Sequence, residues 1–328
     1  MNTLKPKEIL SQYTSLVTFV VLMLILAVLT QGRVLTWDTI RGLLVQESVR
    51  AFAALGVGMI IITKGIDLSV GAVVGLAASV AASFAQEPSH AAAIHPGISF
   101  PLIVPIFAGI AVGALCGLFN GTLVAYGKLP PFIATLGTMV IARGLQLIYT
   151  RAASVSALTP AYMSIAQRTF FPFRFPVLAV YMLVVFFLVW VLMRHTRQGS
   201  HFYAIGGNVQ AARVSGINVE RNLVCVYLYA GILYGIAGIL IASRVSLANA
   251  ATASGMELEA IAAVTVGGIS HSGGVGTVGG MIAGIFTMGL IRFGMNFMAI
   301  SPHFQHLVQG AIIILAVFFD MKKYSKRA

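Results

Sequence analysis

The feature that most constrains this chain is a succession of apolar runs, most of them about as long as a bilayer is thick. A membrane helix consumes ~20 residues, so a chain of this length holds about ten with short connections. At 328 residues that leaves no room for a separate catalytic domain. Only 9% of the residues are charged and 58% are hydrophobic, whereas a soluble domain is roughly 25% charged. A soluble fold is excluded. Glycine, at 34 residues, suits close helix contact in lipid.

The expected spans begin with Tyr13 to Thr30, Val49 to Thr63, and a third running from Gly65–Gly71 to Ala85. They continue with Phe100 to Tyr126, Phe132 to Tyr149, Val177 to Met193 and Leu223 to Ala242. An eighth, Leu258 to Val266, breaks into the glycine cluster Gly267–Gly280; a ninth resumes to Phe293, and a tenth covers Leu307 to Phe319. The polar stretch carrying Arg33, Trp37, Asp38, Arg41 and Glu47 is expected as an outer connection, and the proline-punctuated Thr150–Pro176 as a partly ordered outer loop. The expected architecture is one all-α integral membrane domain over residues 1–328, with about ten transmembrane helices, some broken or short. An even count puts both termini on one side. Lys5, Lys7 and the basic tail from Lys322 to Arg327 favour the cytoplasm. No small-residue cleavage site follows the first apolar run, which is expected to stay as a span.

The net charge of +12 comes from residues scattered between apolar runs, with no stripe for nucleic acid; they are expected to meet anionic lipid headgroups. Cys116 and Cys225 lie inside apolar segments as packing residues. His303 and His306 stand one turn apart without further ligands, and no Ser–His–Asp set can be assembled. Neither a metal, a cofactor nor a catalytic role is expected of this chain.

Glycine supplies two patterns. Gly109, Gly113, Gly117 and Gly121 recur every fourth residue, a smooth helical stripe along which another backbone can pack. Gly274-x-Gly276-x-x-Gly279 matches the dinucleotide fingerprint, but it lies between two spans and no acidic residue follows until Asp320. Nucleotide binding there is rejected; interrupted helix that is buried or lines a watery cavity is the better account.

Asp67, in Gly65-Ile66-Asp67-Leu68-Ser69-Val70-Gly71, is the one acidic residue between Glu47 and Glu87. With Ser69 it can cap the third span, or it can serve transport or gating, as carboxylates at membrane depth often do. Both readings stand on the sequence. Gly268-Ile269-Ser270-His271-Ser272-Gly273 echoes the same shape, and both are expected near the cytoplasmic face. The segment of about 198–222 contains Ala204-Ile205-Gly206-Gly207-Asn208-Val209-Gln210-Ala211-Ala212-Arg213-Val214-Ser215-Gly216. There Asn208 can cap a short helix from Val209 and Gly216 can end it, leaving two alanines on the surface for a partner to seat against.

That segment resembles the cytoplasmic coupling motif of ABC importer permeases, with Gln210-Ala211-Ala212 and Gly216 in its places and Gln where Glu is usual. The stretches Gly65–Gly71, Phe119-Asn120-Gly121, Pro131–Thr138 and Tyr203–Asn208 are similar to the monosaccharide branch of that family. Ser272–Val278 and Gly310–Val317 look closest to its galactose/methyl-galactoside members. The resemblance implies a permease subunit that moves a monosaccharide from periplasm to cytoplasm across the bacterial inner membrane, with ribose, xylose or another small sugar as alternatives. It implies coupling to an ATPase through Gly206, Gly207, Asn208, Gln210, Ala211, Ala212, Arg213 and Gly216. It implies a pathway or gate near Asp67, Ser69, Asn120, Thr135, Ser270, His271 and Ser272. The partners implied are a second permease copy, an ABC ATPase with two nucleotide-binding halves that binds ATP and magnesium, and a periplasmic sugar-binding protein. In keeping with that, the chain has no Gly-x-x-x-x-Gly-Lys-Ser/Thr loop.

Two other classes compete. A stand-alone ion-coupled transporter needs an intramembrane coupling-ion site, for which Asp67 alone is thin support. A membrane enzyme lacks paired acids or a nucleophile–base set.

Overall fold

The computed structural model of the chain describes residues 14–171 and 173–325. Among them run thirteen α-helices: α1 Thr14–Leu29, α2 Trp37–Ile62, α3 Val70–Phe84, α4 Ile103–Ala125, α5 Pro131–Thr150, α6 Pro160–Gln167, α7 Val177–His195, α8 Arg197–Gly207, α9 Val209–Val214, α10 Val219–Val245, α11 Met256–Val266, α12 Val278–Phe297 and α13 Pro302–Ser325. A 3-10 turn, Arg33–Leu35, precedes α2. Two-residue strands, β1 Thr169–Phe170 and β2 Phe175–Pro176, pair antiparallel inside the expected outer loop. Ten helices overlie the ten apolar runs. Seven of them, α2, α4, α5, α7, α10, α12 and α13, are long and apolar enough to cross a membrane. By contrast α1, α3 and α11 are shorter, α11 having 11 residues. Lys5, Lys7, Lys326 and Arg327, on which the expected cytoplasmic ends rest, lie outside the described residues.

Helix α2 departs from the sequence reading. The stretch from Trp37 to Glu47 is no outer connection but the opening part of the same helix that ends at Ile62. The physical reason is that the charges at its inner end have partners in the bundle. Glu47 pairs with Arg292 of α12 and with Arg50 one turn on, which also pairs with Glu259 of α11, while Asp38 stays exposed in the first turn. Once paired, Glu47 and Arg50 need not face water. From Glu47 onward α2 is buried almost all round, packed among α7, α10, α11 and α12.

The glycine stripe is a packing seam. Helix α4 runs antiparallel to α10, with Gly109 against Ile239, Gly113 against Gly231 and Gly235, Gly117 against Tyr227 and Gly231, and Gly121 against Val224. A Cβ on Gly117 would stand 3.0 Å from the Gly231 Cα and closer still to the Tyr227 carbonyl. Bilayer tails are as apolar as leucine, so such backbone proximity, not hydrophobic exclusion, binds helices in lipid. The outward faces of α4, α5, α7 and α13 carry exposed Phe107, Leu115, Val140, Ile148, Phe187 and Ile314. Unfavourable in water, that surface is what a lipid solvent requires.

Two connections interrupt the helices at one end of the bundle. Residues 63–69 join α2 to α3, and residues 267–277 join α11 to α12. The second turns through Gly268 (φ +88°), Gly273 (+79°) and Gly274 (+68°), conformations that cost any residue with a Cβ.

Candidate coupling and translocation site

Three helix caps in succession shape the segment around residue 208. Thr196 Oγ1 accepts from Gly199 N at 3.1 Å and opens α8. Asn208 Oδ1 accepts from Ala211 N at 3.0 Å and opens α9. Asn218 Oδ1 accepts from Arg221 N at 2.8 Å and opens α10. Each satisfies a backbone N–H that a first turn leaves free. Gly216, at φ +82°, closes α9, and Ile217 N donates to Ala212 O at 3.1 Å. The short helix thus starts and ends where the sequence places it; α8 ahead of it is the addition.

The alanine pair divides between surface and core. Ala211 is exposed beside Gln210, Arg213 and Val214, the last 88% exposed. Ala212, expected on the surface, is 3% exposed and packs with Ile205 and Val219. Neighbours on a helix are rotated by about 100°, so the two cannot share a face. Arg213 and Lys128 both reach Glu220, at 2.5 and 2.9 Å, which ties α9 and the α4–α5 turn to the start of α10. These exposed pairs orient more than they stabilise.

The end of α8 is where the two broken connections meet. Gly206 is buried, and a Cβ there would run into the Ile62 carbonyl of α2 and stand 2.5 Å from Gly274 N. Those two groups are themselves bonded, Gly274 N donating to Ile62 O at 2.8 Å. Gly207 is exposed, with open space around it, and its carbonyl accepts from Lys64 Nζ at 3.5 Å. Tyr203 donates from its hydroxyl to Gly276 O at 3.0 Å. One short helix therefore holds the end of α2 and the residues that lead into α12.

Beside that junction Ser270 Oγ and His271 N both donate to Asp320 Oδ2, at 3.0 and 2.9 Å. Ser272 N donates to Ser270 Oγ at 3.2 Å. His271 Nε2 lies 2.8 Å from Thr265 Oγ1, and burial holds its imidazole below the ordinary range against the opposing pull of Asp320.

Asp67, Ser69, Asn120 and Thr135 are each at most 1% exposed and join in one network. Asp67 Oδ1 accepts from Ser69 N at 2.8 Å and Ser69 Oγ at 2.6 Å. Asn120 Nδ2 donates to Ser69 Oγ at 3.0 Å and Thr138 Oγ1 donates to Asn120 Oδ1 at 2.6 Å. Leu68 N donates to Thr135 Oγ1 at 3.1 Å. Asp67 is therefore not a helix cap in the strict sense. It closes a turn two residues on, ahead of α3, and Ser69 at the cap position makes no side-chain cap bond. The Tyr227 and Tyr234 hydroxyls are buried without a well-formed partner, and Tyr234 is near enough to influence the carboxyl. None of Asp67, Ser69, Asn120 and Thr135 lines any of the cavities described here. In both broken connections one carboxylate gathers a serine hydroxyl and a backbone N–H. Asp67 does so from within its own loop, Asp320 from α13.

The sequence reading missed a second polar centre, in the middle of α2 and away from the junction at Ile62. Glu47, 2% exposed, accepts from Arg50 at 3.2 Å and from Arg292 at 2.6 Å; Glu259 accepts from Arg50 at 2.6 Å and lies 3.4 Å from Arg292. A cavity of about 180 Å³ opens on each side of this cluster. A signal did exist: Arg292 is the sole Asp, Glu, Lys or Arg between Glu259 and Asp320, and a lone charge in a span implies a partner.

Interrupted apolar helices, a capped helix pair at one end and a buried charge cluster away from it define a multi-pass membrane transport protein. The comparisons make the class specific. A family model described as "branched-chain amino acid transport system / permease component" matches residues 39–317, and the chain belongs to that family. It is 38% identical over the full length of both chains to the galactose/methyl galactoside import permease protein MglC of Escherichia coli K12. It is 41% identical to MglC of Haemophilus influenzae over 87% of each chain. To the ribose import permease protein RbsC of Escherichia coli K12 it is 36% identical, over 97% of this chain and 96% of the other. No solved structure matches.

Proposed function

We propose that the chain is the membrane subunit of an inner-membrane ABC importer for a neutral monosaccharide, galactose or methyl galactoside in first place and ribose as the alternative. The observation that carries this reading is the 38% identity with MglC from end to end of both chains. In this reading the whole chain is one permease domain that pairs with a second copy. It binds no cofactor of its own. ATP and magnesium belong to a cytoplasmic ATPase with two nucleotide-binding halves, and a periplasmic binding protein delivers the sugar and sets most of the specificity.

The ATPase seats on α9, where Ala211 and Val214 present small apolar side chains beside Gln210 and Arg213. Gly206, Gly207, Asn208, Ala212 and Gly216 shape that helix from behind. Asp67, Ser69, Asn120 and Thr135, with Ser270, His271 and Ser272, brace the two loops at the same end and so set the gate. The test is uptake by the permease expressed with its own ATPase and binding protein in cells lacking other galactose and ribose systems. ATP-dependent galactose uptake is expected; uptake of ribose alone would move the substrate, and uptake driven by a proton gradient would overturn the reading. Val214→Glu is expected to lower sugar-stimulated ATP hydrolysis about tenfold or more, as loss of an interface anchor does, with insertion unchanged. Normal coupling in that variant would remove α9 from the interface.

A further inference from the structure

The charge cluster in the middle of α2 has no part in the coupling argument, yet its surroundings are those of a ligand site. Between the start of α2 and the end of α12 lies a cavity of about 180 Å³ lined by Thr39, Gln46, Glu47, Arg292, Phe293 and Asn296. A hydroxyl, two amides, a carboxylate, a guanidinium and an aromatic ring face one small space. The larger cavity of the molecule, about 440 Å³ between α2, α7 and α10, is lined by aliphatic side chains, Phe52 and two tyrosines. Unlike that one, the smaller cavity offers directional hydrogen bonds on several sides, as a polyhydroxylated solute needs. So does the one across the cluster, beside Arg50, Arg244, Ser254 and Glu259, but that one has no aromatic ring for a sugar face.

Three details support occupancy. Arg292 gives one donor to Glu47 at 2.6 Å, while its buried Nε and Nη1 make no hydrogen bond; Nη1 is merely 3.4 Å from Glu259. Buried donors without acceptors are costly and usually mark a missing partner. Nη1 is turned toward Glu259, away from the cavity lining, so it is the guanidinium as a whole, incompletely bonded, that a sugar hydroxyl oxygen can recruit. Gly289 is required for the site: a Cβ there would stand 2.8 Å from the Glu47 Cγ and Cδ, displacing the carboxylate. At Gly42, also in the cavity wall, a Cβ would meet nothing within 4 Å, so the missing side chain leaves the space open. The two walls of the cavity, α2 and α12, are moreover the two helices whose other ends meet at Gly206 of α8.

We propose that this cavity is a monosaccharide contact site of the permease, in which Gln46, Glu47, Arg292 and Asn296 bond the hydroxyls of the passing sugar. The proposal rests on the sugar-importer reading above. Affinity is low, because Glu47 and Arg292 already satisfy each other in part and the sugar must compete for them. Low affinity suits a pathway, where tight binding would delay release.

The test uses the full complex in vesicles. Thr39 lines the cavity and is not among the four proposed sugar contacts, so Thr39→Cys, in a background with Cys116 and Cys225 replaced by alanine, reports on the cavity through a membrane-impermeant maleimide. Millimolar galactose or ribose, whichever the wild-type complex carries, is expected to slow labelling severalfold, with sucrose at equal osmolarity as control. Asn296→Leu is expected to lower the maximal uptake rate about tenfold, measured on complex whose assembly is checked in parallel. Unprotected labelling overturns the proposal, as does full uptake by Asn296→Leu; should that variant fail to assemble, the labelling decides. A wild-type complex that carries neither sugar would overturn the importer reading instead, so the two failures are distinct.

Discussion

Asp67 and Arg292 were unequally legible, and the difference is physical. A lone carboxylate in a glycine-bounded loop draws notice because its cost in a membrane is evident. The network around it was only half visible: its partner Ser69 is two residues away, but Asn120, which bonds Ser69, and Thr138, which bonds Asn120, come from other helices. Arg292 stood in a span where no sequence spacing points to Glu47, 245 residues earlier. The Asp67 geometry argues for a bracing role. Its Oδ1 takes both donors of Ser69, and Asn retains an oxygen there. Asp67→Asn is therefore expected to keep assembly and most uptake, while Asp67→Ala strands a buried N–H and loses about 1–3 kcal/mol. Thermal unfolding and uptake, measured on both variants together, check this; an assembled but inactive Asn variant would show that the charge itself is needed.

Helix positions were legible because apolar runs of bilayer length permit little else, and the errors fall where that logic fails. The start of α2 was read as a loop since its charges looked fit for water, when Glu47 and the next basic residue, Arg50, had their partners in α11 and α12. Helix α8 was missed because its apolar face, with Phe202 and Ile205 buried, is interleaved with polar residues and is too short to register as a span. The four-residue glycine period was sound evidence, because i and i+4 share a helix face whatever the surroundings. At the α4–α10 seam there is no space to give: beyond Gly117 stand the Tyr227 carbonyl and Gly231 Cα, both backbone. Gly117→Leu is expected to lower the stability of the purified permease by about 1–3 kcal/mol or more, the usual cost of overpacking. Gly137→Ala, at a position where a Cβ meets nothing within 4 Å, is the control expected to unfold at the wild-type temperature.

Over the whole molecule, α2 and α12 join the coupling end to the charge cluster. From Glu47 to Ile62, at a rise of about 1.5 Å per residue, α2 spans roughly 22 Å, and it is packed on nearly every side over that stretch. A rod so enclosed moves as a body or not at all, since close-packed interiors transmit displacement. If an ATPase seats on α9 as proposed, a push there passes to the end of α2 and to the residues leading into α12 through the contact of Gly206 with Ile62 and Gly274. Adjacent glycines at that contact give a sharp discrimination. Gly206→Ala puts a methyl group against the Ile62 carbonyl and must push α8 away from α2; Gly207→Ala puts one into open space. The first is expected to lose most sugar uptake, about tenfold, and to separate ATP hydrolysis from sugar delivery, whereas the second transports as the wild type does. Coupled uptake and ATPase assays on the two variants read this directly. Equal, near-normal transport by both would mean that force enters the bundle by a route other than the end of α8.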